Sequence, residues 1–233
     1  MARIPLITSR ELVAEDKRHI VDEIAKEHGK VTGSWPVLLY APDMAGRIAH
    51  LGAYVRYGSE LPFALRELAT LAIARELDSE YTWGGHVPQA IKGGVREQAI
   101  QVIATRGSVE ALTQEEAVII NYVRELLRTH RVSQPTFDSA RELFGEAGLV
   151  EFTARIGYYC LLACTLNAFE VKAEELIYRT SDQDGMPEGQ ERWFCTACMK
   201  AFPVTLGQPR TVCPEGHRMD DPSLTASTPK LPL

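Results

Sequence analysis

No apolar run in this sequence approaches the ~18–20 residues of a membrane span, and Met1-Ala-Arg-Ile-Pro5 opens no long apolar stretch of the secretory kind. Both absences predict a cytoplasmic protein with no membrane partner. A basic surplus is also missing. The formal net charge is −6, which argues against nucleic-acid partners, because binding phosphates requires a basic surface that releases counterions. Cysteine is scarce, with five residues in 233. In a reducing interior, paired cysteines more often mean metal or redox chemistry than structural disulfides. Before residue 180 no alternating strand pattern stands out. Apolar residues make up 45% of the chain and charged residues 24%, so a sizeable core is within reach of one ordinary domain and an appendage.

Helical periodicity dominates residues 8–180, and the predicted fold class is all-α. Thr8-Ser-Arg-Glu11 has capping-box spacing and Gly29 is a stop signal. Pro42 opens a helix to about Tyr57, and Pro62 opens another to about Asp78. Ser79 to Ile91 follows, closed by Gly93-Gly94, and Val95 to Ala104 is the next. Thr113-Gln-Glu-Glu116 is a second capping box, opening a helix to about His130. Pro135 to Gly145 and Leu149 to Ile177 complete the set. The predicted domains are a helical body (1–180), a polar linker (181–190), a cysteine-bearing module (191–219) and a disordered tail (220–233).

The helix from Leu61 to Leu77 is apolar nearly all round, a pattern of burial on most faces. Glu67 lies within it. A buried carboxylate costs several kcal/mol unless it is paired or protonated. On the next helix Ser79, Thr82, Trp83 and His86 share one face, with Glu80 about a third of a turn away. Gly84 and Gly85 leave room for a helix or ligand to approach. A tight turn at Asp78 brings Glu67 towards His86, making an acid/base pair. The structural alternative is that Glu67 pairs with Arg66, Arg75 or a partner subunit, and that His86 is a hydrogen-bonded core histidine.

Leu61-Pro-Phe-Ala-Leu-Arg-Glu-Leu-Ala-Thr-Leu-Ala-Ile-Ala-Arg75 followed by Ser79-Glu-Tyr-Thr-Trp-Gly-Gly-His86 resembles the core motif of the carboxymuconolactone decarboxylase and alkylhydroperoxidase D superfamily. Gly157-Tyr-Tyr-Cys-Leu-Leu-Ala-Cys-Thr-Leu-Asn-Ala-Phe-Glu-Val171 resembles the last helix of its decarboxylase-like members. The resemblance implies a compact helical domain that forms trimers, hexamers or similar rings, with sites near subunit contacts. Glu67 and His86 match the Glu and His of the hydroperoxidase branch, but its Cys-x-x-Cys positions are Ser79 and Thr82 here. A hydroxyl lacks the thiolate and disulfide chemistry of peroxide reduction. Cys160 and Cys164 read as packing residues in an apolar helix.

The expectation is therefore decarboxylase-like: acid/base chemistry without an organic cofactor on a small carboxylated or lactone-like molecule, lyase first and isomerase next. His86 is the proton donor or shuttle, Glu67 its partner, and Glu80 a second carboxylate candidate. Arg66 or Arg47 is the candidate clamp for a substrate carboxylate, with Ser79, Thr82 and Trp83 as further substrate-binding candidates. Two rivals stay open, hydroperoxide reduction and a non-catalytic scaffold. His50 is expected to be satisfied or exposed, Tyr158 and Tyr159 to be core, and His19, His28 and His130 to be solvated. Asn167 is expected to bond backbone or ligand.

The C-terminal module carries Cys195-x2-Cys198, a 14-residue spacer and Cys213-x3-His217. Two chelating turns bring four donors together as tetrahedral zinc requires, and four protein ligands predict a closed, structural site. Metal binding supplies folding free energy that so short a segment cannot draw from a core. Trp193, Phe194 and Phe202 are expected to pack on the helical body or on a neighbouring subunit.

Overall fold

A computed structural model describes residues 2–29, 31–172, 190–195 and 200–205, the last two segments as backbone only. Eight helices build the body: α1 Arg18–His28, α2 Trp35–Leu38, α3 Pro42–Ala53, α4 Phe63–Glu76, α5 Glu80–Lys92, α6 Glu97–Ala104, α7 Gln114–Thr129 and α8 Gln134–Ala168. The all-α expectation holds for this body. Beyond it, β1 (Gln190–Cys195) and β2 (Lys200–Thr205) form an antiparallel hairpin, with Trp193 opposite Phe202 and Cys195 opposite Lys200.

α4 is the central helix. Residues Glu67 to Arg75 are all buried, and α5, α6, α7 and α8 pack around it. Leu68, Leu71, Ile73, Trp83, Ile100, Ile119 and Phe152 are at most 1% exposed. Such all-round burial explains the absence of an amphipathic stripe on α4. Asp78 makes the turn into α5 in the left-handed region (φ 46°). The Ser79 N–H donates to the Ala74 carbonyl at 2.8 Å, and Asn167 donates to the Leu77 carbonyl at 2.7 Å.

Local signals mostly set the ends as expected. Gly29 closes α1 at φ 76°, and the Thr113–Glu116 capping box forms reciprocally. The box at Thr8–Glu11 does not form: the chain there makes short 3-10 turns with no side-chain cap. The last helix stops at Ala168 rather than Ile177, and residues 173–177 lie outside those described. Gly145 breaks α8 with an extended, positive-φ conformation (φ 67°, ψ 177°). α8 contains an 18-residue window apolar enough to cross a membrane by length and composition, although no continuous apolar run does so. The expectation missed it because Arg155 interrupts the run. Contacts with α4 and α7 mark it as a core helix of the bundle.

After α3 the backbone widens into a π turn over Tyr54–Gly58, with the Ser59 N–H donating to the Tyr54 carbonyl at 3.0 Å. An extra residue in a helical turn frees carbonyls from the regular ladder. Arg155 donates to the Val55 carbonyl at 2.7 Å, and Arg66 donates to that of Arg56. Two arginines thus lock the turn that carries Arg56.

Candidate active site

Glu67 and His86 meet. His86 Nδ1 lies 2.7 Å from Glu67 Oε2, with the two side chains 15% and 7% exposed. Burial favours a protonated Glu67, but the His86 hydrogen bond and the nearby charges of His86, Arg155 and Arg56 outweigh it and hold the carboxyl below its ordinary value. The carboxylate is therefore ionised at neutral pH, and the nitrogen facing it carries the proton. Nδ1–H donates to Glu67, which leaves Nε2 without a partner among the described residues.

A second charge backs the pair. Arg155 of α8 lies 3.8 Å from Glu67 and donates to the Arg66 carbonyl at 3.2 Å, the Val55 carbonyl at 2.7 Å and Thr70 Oγ1 at 2.9 Å. Its guanidinium sits 5.0 Å from the Tyr159 ring centre, and burial lowers its pKa. The Tyr159 ring meets His86 edge-on at 5.4 Å. Burial raises the Tyr159 hydroxyl's pKa and keeps it neutral.

His86 borders a cavity of about 490 Å³, within the range of small-molecule pockets. His86, Thr82 and Gly85 line one wall, Arg56 and Tyr159 another, and the α1–α2 loop with Trp35 a third. A Cβ at Gly85 would meet nothing within 4 Å, so its backbone opens onto free space. The Arg56 guanidinium makes no hydrogen bond or ion pair among the described residues. It lies over the Tyr57 ring, 5.4 Å from its centre.

The other sequence candidates divide. Thr82 lines the cavity, and Ser79, fully buried behind it, lies 3.0 Å away oxygen to oxygen. Trp83 is 0% exposed and belongs to the core. Glu80 opens α5, where an acidic side chain complements the helix dipole, and does not line the cavity. Arg66 is turned away to cap the Arg56 carbonyl and lies 5.6 Å from the Phe63 ring centre. Arg47 is exposed and bonds the Asp43 carbonyl at 2.7 Å. Neither lines the cavity; the arginine that does is Arg56.

Three further readings are corrected. His28 is not solvated: it lines the cavity, bonds Ala49 O at 2.9 Å and lies 4.8 Å from the Trp35 ring. Burial lowers its pKa. Tyr159 lines the cavity besides serving the core. Cys164 is exposed rather than packed, while Cys160 is half-buried. His50 is exposed, as expected, 3.4 Å from Glu27. Of the proposed metal ligands, Cys195 ends β1 and Cys198, Cys213 and His217 lie outside the described residues. Among the described residues no cluster of three or more His, Cys, Asp or Glu is placed to hold a metal.

Residues 42–124 match the Carboxymuconolactone decarboxylase family, a stretch that includes Glu67 and His86 but not Arg155. The fold is shared with an uncharacterized peroxidase-related protein from Ralstonia eutropha JMP134 that has an alkylhydroperoxidase AhpD core. The TM-score is 0.60 at 16% identity, over 75% of this chain and 93% of that one. No curated protein matches. The match to the Carboxymuconolactone decarboxylase family is thus carried by residues 42–124, and the AhpD-core structure shares the fold.

Proposed function

We propose that this protein is a cofactor-independent acid/base enzyme acting on a small anionic organic molecule. One observation carries the reading: His86 Nδ1 lies 2.7 Å from Glu67, and Nε2 has no partner among the described residues, in a cavity whose arginine pairs with none of them either. Arg56 binds the substrate anion. Glu67 fixes the ring and counters its charge whenever Nε2 holds a proton, and Arg155 keeps Glu67 ionised. In the lyase form, the carbon–carboxylate bond breaks, CO2 leaves and the electron pair enters the substrate's conjugated carbonyl. Protonated His86 then delivers its Nε2 proton to carbon. Starting neutral, the same imidazole takes a proton from carbon and returns it elsewhere, which is isomerisation.

Peroxide reduction by a dithiol finds less support. Ser79 and Thr82 place hydroxyls where that chemistry needs sulfur, and neither Cys160 nor Cys164 lines the cavity. The test is a metabolite screen for CO2 release or ultraviolet change, with His86→Ala and Glu67→Gln beside the parent protein. His86→Ala is expected to lower kcat by about 10²–10⁴-fold. Turnover indifferent to both substitutions removes the proposed roles.

We propose self-association through α8, as the superfamily resemblance implies. Val150, Ala154, Gly157, Leu161, Cys164 and Ala168 are all exposed and follow a heptad seam of alternating four- and three-residue steps. The seam carries no charge, so it can face its own copy without repulsion. Leu161→Glu is expected to shift the protein to monomer in light scattering. An unchanged mass for that variant places any contact elsewhere.

For the C-terminal module the proposal is a structural zinc on Cys195, Cys198, Cys213 and His217. The ligand spacing supports it, as does a hairpin whose first strand ends on Cys195 and whose four-residue connection contains Cys198. About one zinc per chain is expected by elemental analysis, reduced in Cys195→Ser. Parent protein purified without zinc defeats the assignment.

A further inference from the structure

The geometry points to a substrate class: a flat, conjugated monocarboxylate, with its one anionic group on Arg56 and its unsaturated body against the aromatic walls. This rests on the acid/base reading above and narrows it.

The single charge comes from the lining. Among the described residues Arg56 is the one arginine or lysine on the cavity wall, and no aspartate or glutamate lines it. Arg155 is sealed behind, with its donors committed to Val55, Arg66 and Thr70. A second carboxylate on the ligand would find no second arginine or lysine on the wall, and it would spend the His86 proton that the reaction needs on an ion pair. Arg56 is also central. It shares the cavity with His86, His28 and Trp35, so an anion held there lies in the same enclosed space as the proton-handling imidazole.

The flat shape comes from the walls. Trp35, Tyr81, Tyr159, His28 and His86 contribute five rings, and Leu162 and Leu166 add aliphatic surface. The Tyr81 ring is fixed close to the loop: a Cβ at Gly33 would come within 3.1 Å of it, and Gly33 holds φ 69°. Ring faces favour planar unsaturated bodies over saturated ones of equal size. Conjugation also serves the reaction. Losing CO2 or a proton from carbon leaves an electron pair, and in this reading the substrate itself must delocalise it. Thr82 and Gln89 stand on the same wall as His86 to bond a ligand carbonyl.

The test is calorimetric titration of the full chain with four probes: cinnamate, its saturated analogue 3-cyclohexylpropanoate, methyl cinnamate, and the dianion 4-carboxycinnamate. Cinnamate is expected to bind best, with the other three at least 10-fold weaker. Arg56→Gln is expected to erase the preference for acid over ester, and Arg56→Lys to restore part of it. Circular dichroism verifies that both variants are folded. Equal binding of ester and acid, tighter binding of the dianion, no loss in Arg56→Gln, or no binding of any probe overturns the inference. His86→Ala separates the two claims. It is expected to keep the parent's preference for acid over ester, because the anion sits on Arg56. Selective binding with no His86-dependent turnover of any conjugated monocarboxylate defeats the acid/base reading alone. His86-dependent turnover confined to a neutral or dianionic compound defeats the substrate class alone.

Discussion

Replacing Arg155 by methionine is expected to destabilise the fold by about 3–5 kcal/mol, the range for removing one partner of a buried ion pair. A domain of this size holds together by about 5–15 kcal/mol in all, so the denaturation midpoint should fall sharply. The Val55 carbonyl and the Thr70 hydroxyl lose the arginine as donor, the Arg66 carbonyl keeps only its bond from Thr70 among side chains, and Glu67 loses a countercharge. Arg155→Lys should recover only part of the loss, because one ammonium cannot span the sites a planar guanidinium reaches. The informative comparison is the double variant Glu67→Gln/Arg155→Met. Removing the stranded carboxylate should return some stability, so the two substitutions should fall short of additive by about 0.5–3 kcal/mol. Strict additivity in urea denaturation would mean that Arg155 stabilises the π turn alone and does not act on Glu67.

Arg155 also marks the limit of what the sequence reveals. The Glu67–His86 pair was legible because three local signals coincide: a charge in an all-apolar helix, a turn at Asp78, and a polar face on the following helix. Each depends on residues within about twenty positions of one another. Arg155 lies 88 positions from Glu67, and helical periodicity carries no information about which distant helix packs where. The signal that exposed Glu67 was nevertheless present, since Arg155 is a lone charge between Phe152 and Tyr159 in a largely apolar helix. Two isolated charges of opposite sign in two buried helices are a pairing signal.

Arg56 was hidden for another reason. On a regular helix its place in Tyr54-Val-Arg-Tyr57 reads as an ordinary surface site. In the structure that segment is a π turn whose carbonyls are capped by Arg66 and Arg155, and its Arg56 lines the cavity. Arg66, the clamp expected from the sequence, instead holds the segment that carries Arg56. His28 was missed because a helix-end histidine usually meets solvent. Here the loop after Gly29 folds Trp35 back over it.

The pH dependence of stability offers an independent check on the charge state assigned to Glu67. Its folded pKa lies below the ordinary glutamate value of about 4.3, because the His86 bond and the Arg155 charge outweigh the effect of burial. Between the two values the unfolded chain binds more protons than the native one, so unfolding free energy rises with pH there. The contribution is fully present above about pH 4.3 and fades as pH falls through the folded value. Glu116 and Glu125 are shifted the same way, by Arg96 and by Thr136 respectively, so the acid limb of the parent protein does not isolate Glu67. Its difference from Glu67→Gln does. The stability gap between the two proteins, measured by urea denaturation, is expected to hold steady at pH 5 and to narrow as pH falls below about 4.3. A gap unchanged across that acid limb would show that Glu67 titrates alike in both states. A gap that widened would mean a carboxyl protonated in the native fold. His86 Nδ1 would then lose its anionic acceptor, and Nε2 would no longer be fixed as the nitrogen that exchanges protons with substrate.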